Sequence, residues 1–232
     1  ICKMWKTSQL LDDVQISMQM RPLTYTRKLS ELWVGLSTIE AKWKSFENIL
    51  SPDTYILGSV LPSKDLVQQI LQLPSDSTLY WESQWIAYRA STPQSEHTQR
   101  IYLKEQPTFI QFPEDLLEAN RQALTREITP NTFDLNALGE RGNTCINPSN
   151  CYIDSSASIT GSILDASQGP IFIGKNVTLQ IGTYMQGPAA ILADSVTNLG
   201  AKIRPFTTIG PGCKVGGEIS ASIFFPYSNK SH

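Results

Sequence analysis

Histidine is nearly absent from this chain, occurring only at His97 and His232, and none of the four cysteines (Cys2, Cys145, Cys151, Cys213) stands in a C-x-x-C pair. A structural zinc site therefore lacks ligands, and no metal ligand set is assigned. The cysteines read as reduced thiols that pack, with Cys145 and Cys151, six apart, on the same side of neighbouring repeat units. Charge of one sign is not in excess either: 19 Lys and Arg stand against 21 Asp and Glu. With no basic run and no aromatic stacking platform, a nucleic-acid partner is excluded. No apolar segment approaches the roughly 20 residues needed to cross a bilayer, so no membrane partner is expected. Ile1 to Gln9 lacks the apolar core of a signal peptide, and the expectation is a cytoplasmic protein. Glycine is missing from the whole run Gln15 to Met20.

What is present is a six-residue period. Ile173, Leu179, Met185, Ile191, Ile203, Ile209 and Val215 share one phase, in which Thr197 is the only polar member. Four places on stands a mostly small column: Val177, Thr183, Ala189, Ser195, Ala201, Thr207, Cys213 and Ile219. An α-helix would need a 3.6-residue period. Six residues suit one short strand plus a corner, three such units closing a triangular coil and stacked coils pairing about 4.8 Å apart. The spacing predicts a left-handed parallel β-helix in which the aliphatic column fills the prism. It is expected to begin near Cys151, with Ile153, Ile159 and Ile171 in an earlier phase. Gln168-Gly169-Pro170 supplies an extruded corner that absorbs the two-residue shift, and there is room for roughly four coils.

Residues 1–140 lack that period and read as a mixed α/β domain, with residues 141–232 as the β-helix domain. Gln9 to Val14 is expected to be a strand ending in Asp12 and Asp13, followed by a loop from Ile16 to Arg27. Ser37-Thr38-Ile39-Glu40 has the form of a capping box opening a helix through Trp43 and Phe46. Tyr55 to Leu61 reads as a strand, and Pro62-Ser63 as the start of a helix with Leu66, Val67, Ile70 and Leu71 on one face. Thr78–Trp81 and Trp85–Arg89 form a hairpin pattern, followed by a polar loop from Ser91 to Thr98. Pro113 to Glu127 predicts a helix with Leu116, Leu117, Ala123 and Leu124 available for burial. The Asn-, Pro- and Gly-rich run Pro130 to Asn150 reads as a linker.

Two stretches carry a resemblance. Met20-Arg21-Pro22-Leu23-Thr24-Tyr25-Thr26-Arg27 resembles the segment closing the phosphate loop of sugar-1-phosphate nucleotidyltransferases. The repeat region resembles the β-helix acyltransferase domain of bifunctional N-acetylglucosamine-1-phosphate uridylyltransferase and glucosamine-1-phosphate acetyltransferase. The whole chain is similar to sugar nucleotidyltransferases of Bacteroidetes type, including those resembling glucose-1-phosphate thymidylyltransferase. It shares Asp12-Asp13, the P-L-T-x-T-R loop, Gly187-Pro188, Gly200-Ala201-Lys202-Ile203 and Tyr227-Ser228-Asn229-Lys230.

The resemblance implies a sugar phosphate or nucleotide sugar as ligand, with Arg21 as a phosphate contact and Asp12 or Asp13 as a Mg²⁺ ligand. The other reading of these residues is an ordinary polar strand end and a loop arginine. In the repeat region it implies Arg204 as the holder of the acceptor's phosphate and His232 as the general base of an acyl transfer from acetyl-CoA or another acyl-CoA. A histidine exchanges protons near neutrality, as such a base must. Arg204 on a solvated coil face and His232 as a frayed terminal residue are the alternatives, and the lysine expected in Ser220-Ala221-Ser222 is missing.

The glycine-free run Gln15 to Met20 departs from the G-x-G-T-R loop through which backbone N–H groups approach nucleotide phosphates. The first domain is therefore expected to be a weak or inactive nucleotidyltransferase. Flat faces with few charges predict a homotrimer, and the absence of a cap over Ser228–His232 predicts further coils beyond. An enzyme of sugar-phosphate transfer and a non-catalytic trimeric assembly or binding protein are the two functional expectations.

Overall fold

The computed structural model describes residues 6, 9–92 and 99–232, so that Cys2, His97 and most of the Ser91–Thr98 loop lie outside the described residues. The chain divides into two compact units, the first from Ile1–Leu32 and Ser37–Leu116, the second from Trp33–Leu36 and Leu117–His232. In chain order the leading elements are β1 (Leu10–Leu11), α1 (Val14–Gln19), β2 (Trp33–Val34), β3 (Ser37–Thr38), α2 (Ile39–Lys44), β4 (Thr54–Leu57) and α3 (Lys64–Leu71). They are followed by β5 (Ser77–Trp81), β6 (Gln84–Arg89), β7 (Gln99–Tyr102), α4 (Pro113–Glu127) and α5 (Leu135–Glu140).

The first unit is built on a mixed sheet of order β1-β4-β6-β5-β7. The β1/β4 and β5/β7 pairs are parallel, while β6 runs antiparallel to both its neighbours. The expected first strand is shorter than its sequence suggested, and the expected loop after it begins as a helix. Asp13 is the reason: its Oδ1 accepts from the backbone N–H groups of Gln15 at 2.9 Å and Ile16 at 3.1 Å, which caps α1 and ends β1. Ile16 and Met20, four apart on one helical face, are then fully buried, while Met18 faces outward. Helix α2 is capped one residue later than expected, by Thr38, whose hydroxyl accepts from Ala41 N–H at 3.1 Å. The strand expected to run to Leu61 stops at Leu57. Helix α3 follows Ser63 as expected, burying Leu66, Val67 and Ile70 but leaving Leu71 exposed. The hairpin and the extent of α4 agree with the pattern, although Leu117 is 47% exposed. Trp43 anchors this core, fully buried with its indole N–H donating to Val60 C=O at 2.7 Å.

The second unit is a parallel β-helix of five coils rather than four. Coil one is β8 (Thr144–Ile146), β9 (Cys151–Ile153) and β10 (Ser158–Ile159); coil two is β11 (Ile163–Asp165), β12 (Ile171–Ile173) and β13 (Thr178–Leu179). Coil three is β14 (Tyr184–Gln186), β15 (Ala189–Ile191) and β16 (Val196–Thr197). Coil four is β17 (Lys202–Ile203), β18 (Thr207–Ile209) and β19 (Lys214–Val215); coil five is β20 (Glu218–Ile219), β21 (Ile223–Phe224) and β22 (Asn229–Lys230). Each of the three faces is a five-stranded parallel sheet.

In the central coils the register advances 18 residues per turn, as in Thr178↔Val196 and Val196↔Lys214. Between coils two and three one face advances 21, Ile163↔Tyr184, and the surplus is extruded after Asp165, at the corner the sequence indicated. Gly169 makes that corner possible, because a Cβ there would lie 2.5 Å from Pro188 Cδ.

Both columns point inward. Every member of the aliphatic and small columns is buried, and most belong to one continuous core. Thr197 is tolerated because its hydroxyl is satisfied. Thr183 spends its hydrogen on Gln180 C=O at 2.7 Å, so the 2.8 Å contact between the two hydroxyls is donated by Thr197, which also accepts Gln180 N–H at 3.2 Å.

The run read as a linker is the closure of the solenoid's first coil, containing α5, β8 and the 3-10 turn Pro148–Asn150. Its asparagines act in place of backbone. Asn131 gives and takes one hydrogen bond with Ile153, both at 2.9 Å, and Asn143 donates to Leu138 and Ile159 carbonyls while accepting Ser162 N–H. Asn147 and Asn150 both donate to Ala166 C=O at 3.1 Å. A coil edge without a neighbouring strand is thereby given partners.

One face of the solenoid is covered. Leu124 and Ile128 pack with Ala190 and Leu192 against Trp33, Leu36, Tyr152 and Phe172. Asn120 fixes α4 to that face: its Oδ1 accepts Gly35 N–H at 2.8 Å and Thr208 Oγ1–H at 2.9 Å, and its amide donates to Phe206 C=O at 3.3 Å.

Candidate functional sites

In the first unit, Asp12 and Asp13 follow β1 directly, but protein donors occupy them. Both oxygens of Asp13 are engaged, Oδ1 in the helix cap and Oδ2 by the Trp85 indole N–H at 3.3 Å. Asp12 Oδ1 accepts Leu29 N–H at 3.0 Å, leaving Oδ2 without a hydrogen bond among the described residues. Burial pushes the Asp12 carboxyl above its ordinary range, against the opposing pull of the Leu29 hydrogen bond and Lys28. Mg²⁺ typically takes one or two carboxylates and completes its shell with phosphates and water. By that measure Asp12 fits as a single ligand and Asp13 does not, and no group of three or more His, Cys, Asp or Glu is gathered for a metal among the described residues. Arg21 is exposed, its guanidinium lying 5.3 Å from the centre of the Tyr25 ring.

In the solenoid, Arg204 and His232 lie beside consecutive residues. Arg204 Nε stands 4.0 Å from a Glu218 carboxylate oxygen, with both side chains about half exposed. Such a pair is worth little and leaves the guanidinium free to exchange partners. The preceding residue, Gly217, lies under His232, where a Cβ would come 2.8 Å from the His232 carbonyl carbon. Lys230 enters the same corner, its ammonium donating to Gly216 C=O at 2.9 Å.

The registers also place Tyr184 beside Lys202 and Lys202 beside Glu218 across three coils of one face. Tyr184 donates its hydroxyl to Asp165 Oδ2 at 3.3 Å. Its phenol is held above the ordinary range by desolvation and then by Asp165, with Arg204 pulling the other way. The Asp165 carboxyl is held low, chiefly by the Ser167 hydroxyl and N–H. This face is therefore a polar ladder carrying both signs of charge.

A pocket of 430 Å³ opens beside coil one, lined among others by Phe133, Arg141, Tyr152, Asp154 and Ser155. Neither the pocket nor Glu218 and Tyr184 stand out in the sequence, and Lys230 enters there only as part of the run Tyr227-Ser228-Asn229-Lys230. The outward-facing partners of the six-residue columns could have shown the ladder, since each lies next to a column position. The pocket depends on how the stretch read as a linker folds back over coil one, which no periodicity records.

Residues 47–132 match a family model described as sugar nucleotidyl transferase, less than half of the chain. The match covers β4 to α4 and includes neither Asp12, Asp13 and Arg21 nor the β-helix. No curated protein matches the chain. No helix among the described residues is long and apolar enough to cross a membrane.

Proposed function

We propose that this chain is a sugar-phosphate transferase of nucleotide-sugar metabolism. Its first unit would hold a sugar phosphate or nucleotide sugar with weak or absent pyrophosphorylase turnover, and its β-helix would carry acyl transfer to an amino sugar phosphate. The observation that carries the reading is the sugar nucleotidyl transferase match over residues 47–132 in a chain that continues into a parallel β-helix. Arg204, held only loosely by Glu218, supplies the cation for the acceptor's phosphate. His232 takes the proton from the acceptor's amine as its nitrogen attacks the thioester carbonyl of acyl-CoA, the new N–C bond replacing the C–S bond as the thiol leaves. In the first unit, Asp12 is the carboxylate for any Mg²⁺ that enters with a nucleotide, and Arg21 is the phosphate contact.

The exposed corner residues Ile181 and Leu199, 60% and 72% exposed, support assembly of the solenoid with other copies through this edge, and we read the assembly as a homotrimer. A second reading, a non-catalytic trimeric assembly or nucleotide-sugar-binding protein, is favoured by one observation. Helix α1 stands where a glycine-rich phosphate loop is expected, with Ile16 and Met20 committed to the core.

The test is thiol release from acetyl-CoA in the presence of glucosamine-1-phosphate. His232→Ala should lower turnover about a hundredfold or more, and Arg204→Ala should act mainly on the acceptor's KM. Full activity in His232→Ala removes the histidine from the reaction. Absence of thiol release from the wild-type chain, with nucleotide-sugar binding retained, leaves the second reading.

A further inference from the structure

We infer that Cys145 and Cys151 form a thiol–disulfide modification site at the base of the solenoid, oxidised by small-molecule disulfides such as oxidised glutathione. The pair lies on two adjoining faces of coil one, at either end of the corner 146–150, and both side chains turn into the solenoid's interior. Their sulfur atoms stand 3.8 Å apart, within contact of each other and in need of only a small approach to bond. Their exposures divide the labour. Cys145 is half-buried whereas Cys151 is fully buried, so the first exchange falls to Cys145 and the second to its neighbour.

The electrostatics agree with that order. The hydrogen bond from Cys151 lowers the titration of the Cys145 thiol, and the same contact together with burial raises that of Cys151. Cys213 provides the contrast within the same core. It is buried, its sulfur donates to Phe225 C=O at 3.2 Å, and burial raises its thiol.

The chemistry balances. The Cys145 thiolate attacks one sulfur of the oxidised glutathione, forming a mixed disulfide and releasing one glutathione thiolate. The Cys151 thiol, losing its proton, then attacks Cys145 Sγ and expels the second glutathione. Two protein thiols and one small disulfide become one protein disulfide and two small thiols, two electrons passing to glutathione. The product ties together two faces of coil one, next to Tyr152 and Ile153 of the pocket lining.

The test is incubation of the folded Cys2→Ser chain with oxidised glutathione, followed by alkylation in denaturant, tryptic digestion and mass spectrometry. The peptide 142–175, which holds both cysteines, should be lighter by two hydrogens and resist iodoacetamide until reduced, while Cys213 is alkylated. In Cys151→Ser the reaction should stop at a glutathione adduct on Cys145. In Cys145→Ser, Cys151 should stay unmodified over the same period. Retention of both thiols in peptide 142–175, accumulation of the adduct on Cys145 without closure in the Cys2→Ser chain, or equally fast modification of Cys151 in the Cys145→Ser chain would each overturn the inference.

Discussion

The mixed sheet of the first unit and the β-helix of the second both pair their backbones and bury apolar side chains, but they draw on sequence distance in opposite ways. In the sheet, Leu10 pairs with Ile56 and Thr54 with Arg89, dozens of residues apart, whereas the β5–β6 hairpin pairs Trp81 with Gln84, so no single spacing holds. In the solenoid every rung is 15 to 21 residues from the next. A repeat of this kind depends chiefly on adjacent coils, whereas the sheet depends on a few anchors that join distant segments. The polar residues differ accordingly: in the sheet unit Asp13 is committed to the α1 cap and the Trp85 indole, and Asp12 has one oxygen on Leu29 N–H, while on the solenoid Arg204 stays largely available.

The largest expected effect lies with an anchor of the sheet. Trp43→Ala removes a fully buried indole and its hydrogen bond to Val60, and should cost about 3–5 kcal/mol in urea unfolding. A cost below that of an ordinary surface change would break the contrast. Next comes Asn120→Ala, which strands Gly35 N–H, Thr208 Oγ1–H and Phe206 C=O around a buried position. About 2–3 kcal/mol should be lost, read as a lower unfolding midpoint.

The third effect depends on pH. Arg89 binds Asp53 through Nε and Nη2, both at 3.2 Å, and donates from Nη1 to Leu73 C=O at 2.8 Å. Burial alone would raise the Asp53 carboxyl, but hydrogen bonds from Ser51 and Arg89 outweigh it and hold the group below its ordinary range. A depressed folded-state pKa gives stability that is present above the unfolded carboxylate value of about 3.9 and disappears as pH falls through the folded value. Arg89→Met should therefore cost about 1–2 kcal/mol at pH 7, much of it lost as acid protonates Asp53. An undiminished difference between the two proteins in acid would assign the cost to packing instead. The smallest effect on folding belongs to Leu199→Ser, under about 0.5 kcal/mol for the single chain. The same change should shift sedimentation toward monomer if the corner residues are an assembly surface, and an unchanged distribution would remove them from it.

The solenoid was legible because its two columns repeat in the sequence itself. Even the corner at Gly169 left a mark as a phase shift. The first strand of coil one and the closure of that coil were missed because they use Asn131, Asn143, Asn147 and Asn150, residues whose composition reads as loop but whose side chains here replace backbone partners. In the first unit, α1 was missed because Gln15-Ile16-Ser17-Met18-Gln19 is short and mostly polar, and the cap at Asp13 competes with a metal-ligand reading of the same carboxylate. Strand β7 was missed because only Ile101 among Gln99-Arg100-Ile101-Tyr102 is even partly buried, as at an edge. Arg204 and His232 were marked by resemblance alone; their placement beside Glu218 and Gly217 required the coils to be stacked.

The contrast between the capped helix α1 after Asp13 in the first unit and the open polar face on the solenoid is tested most directly by pyrophosphate release from a nucleoside triphosphate and a sugar-1-phosphate. With Ile16 and Met20 buried and Asp13 committed to capping α1, turnover should fall far below the roughly 10 s⁻¹ of an ordinary enzyme, even where nucleotide-sugar binding is measurable. Pyrophosphate release at ordinary enzyme rates would contradict it and return the Asp12 and Asp13 region to the centre of the chemistry.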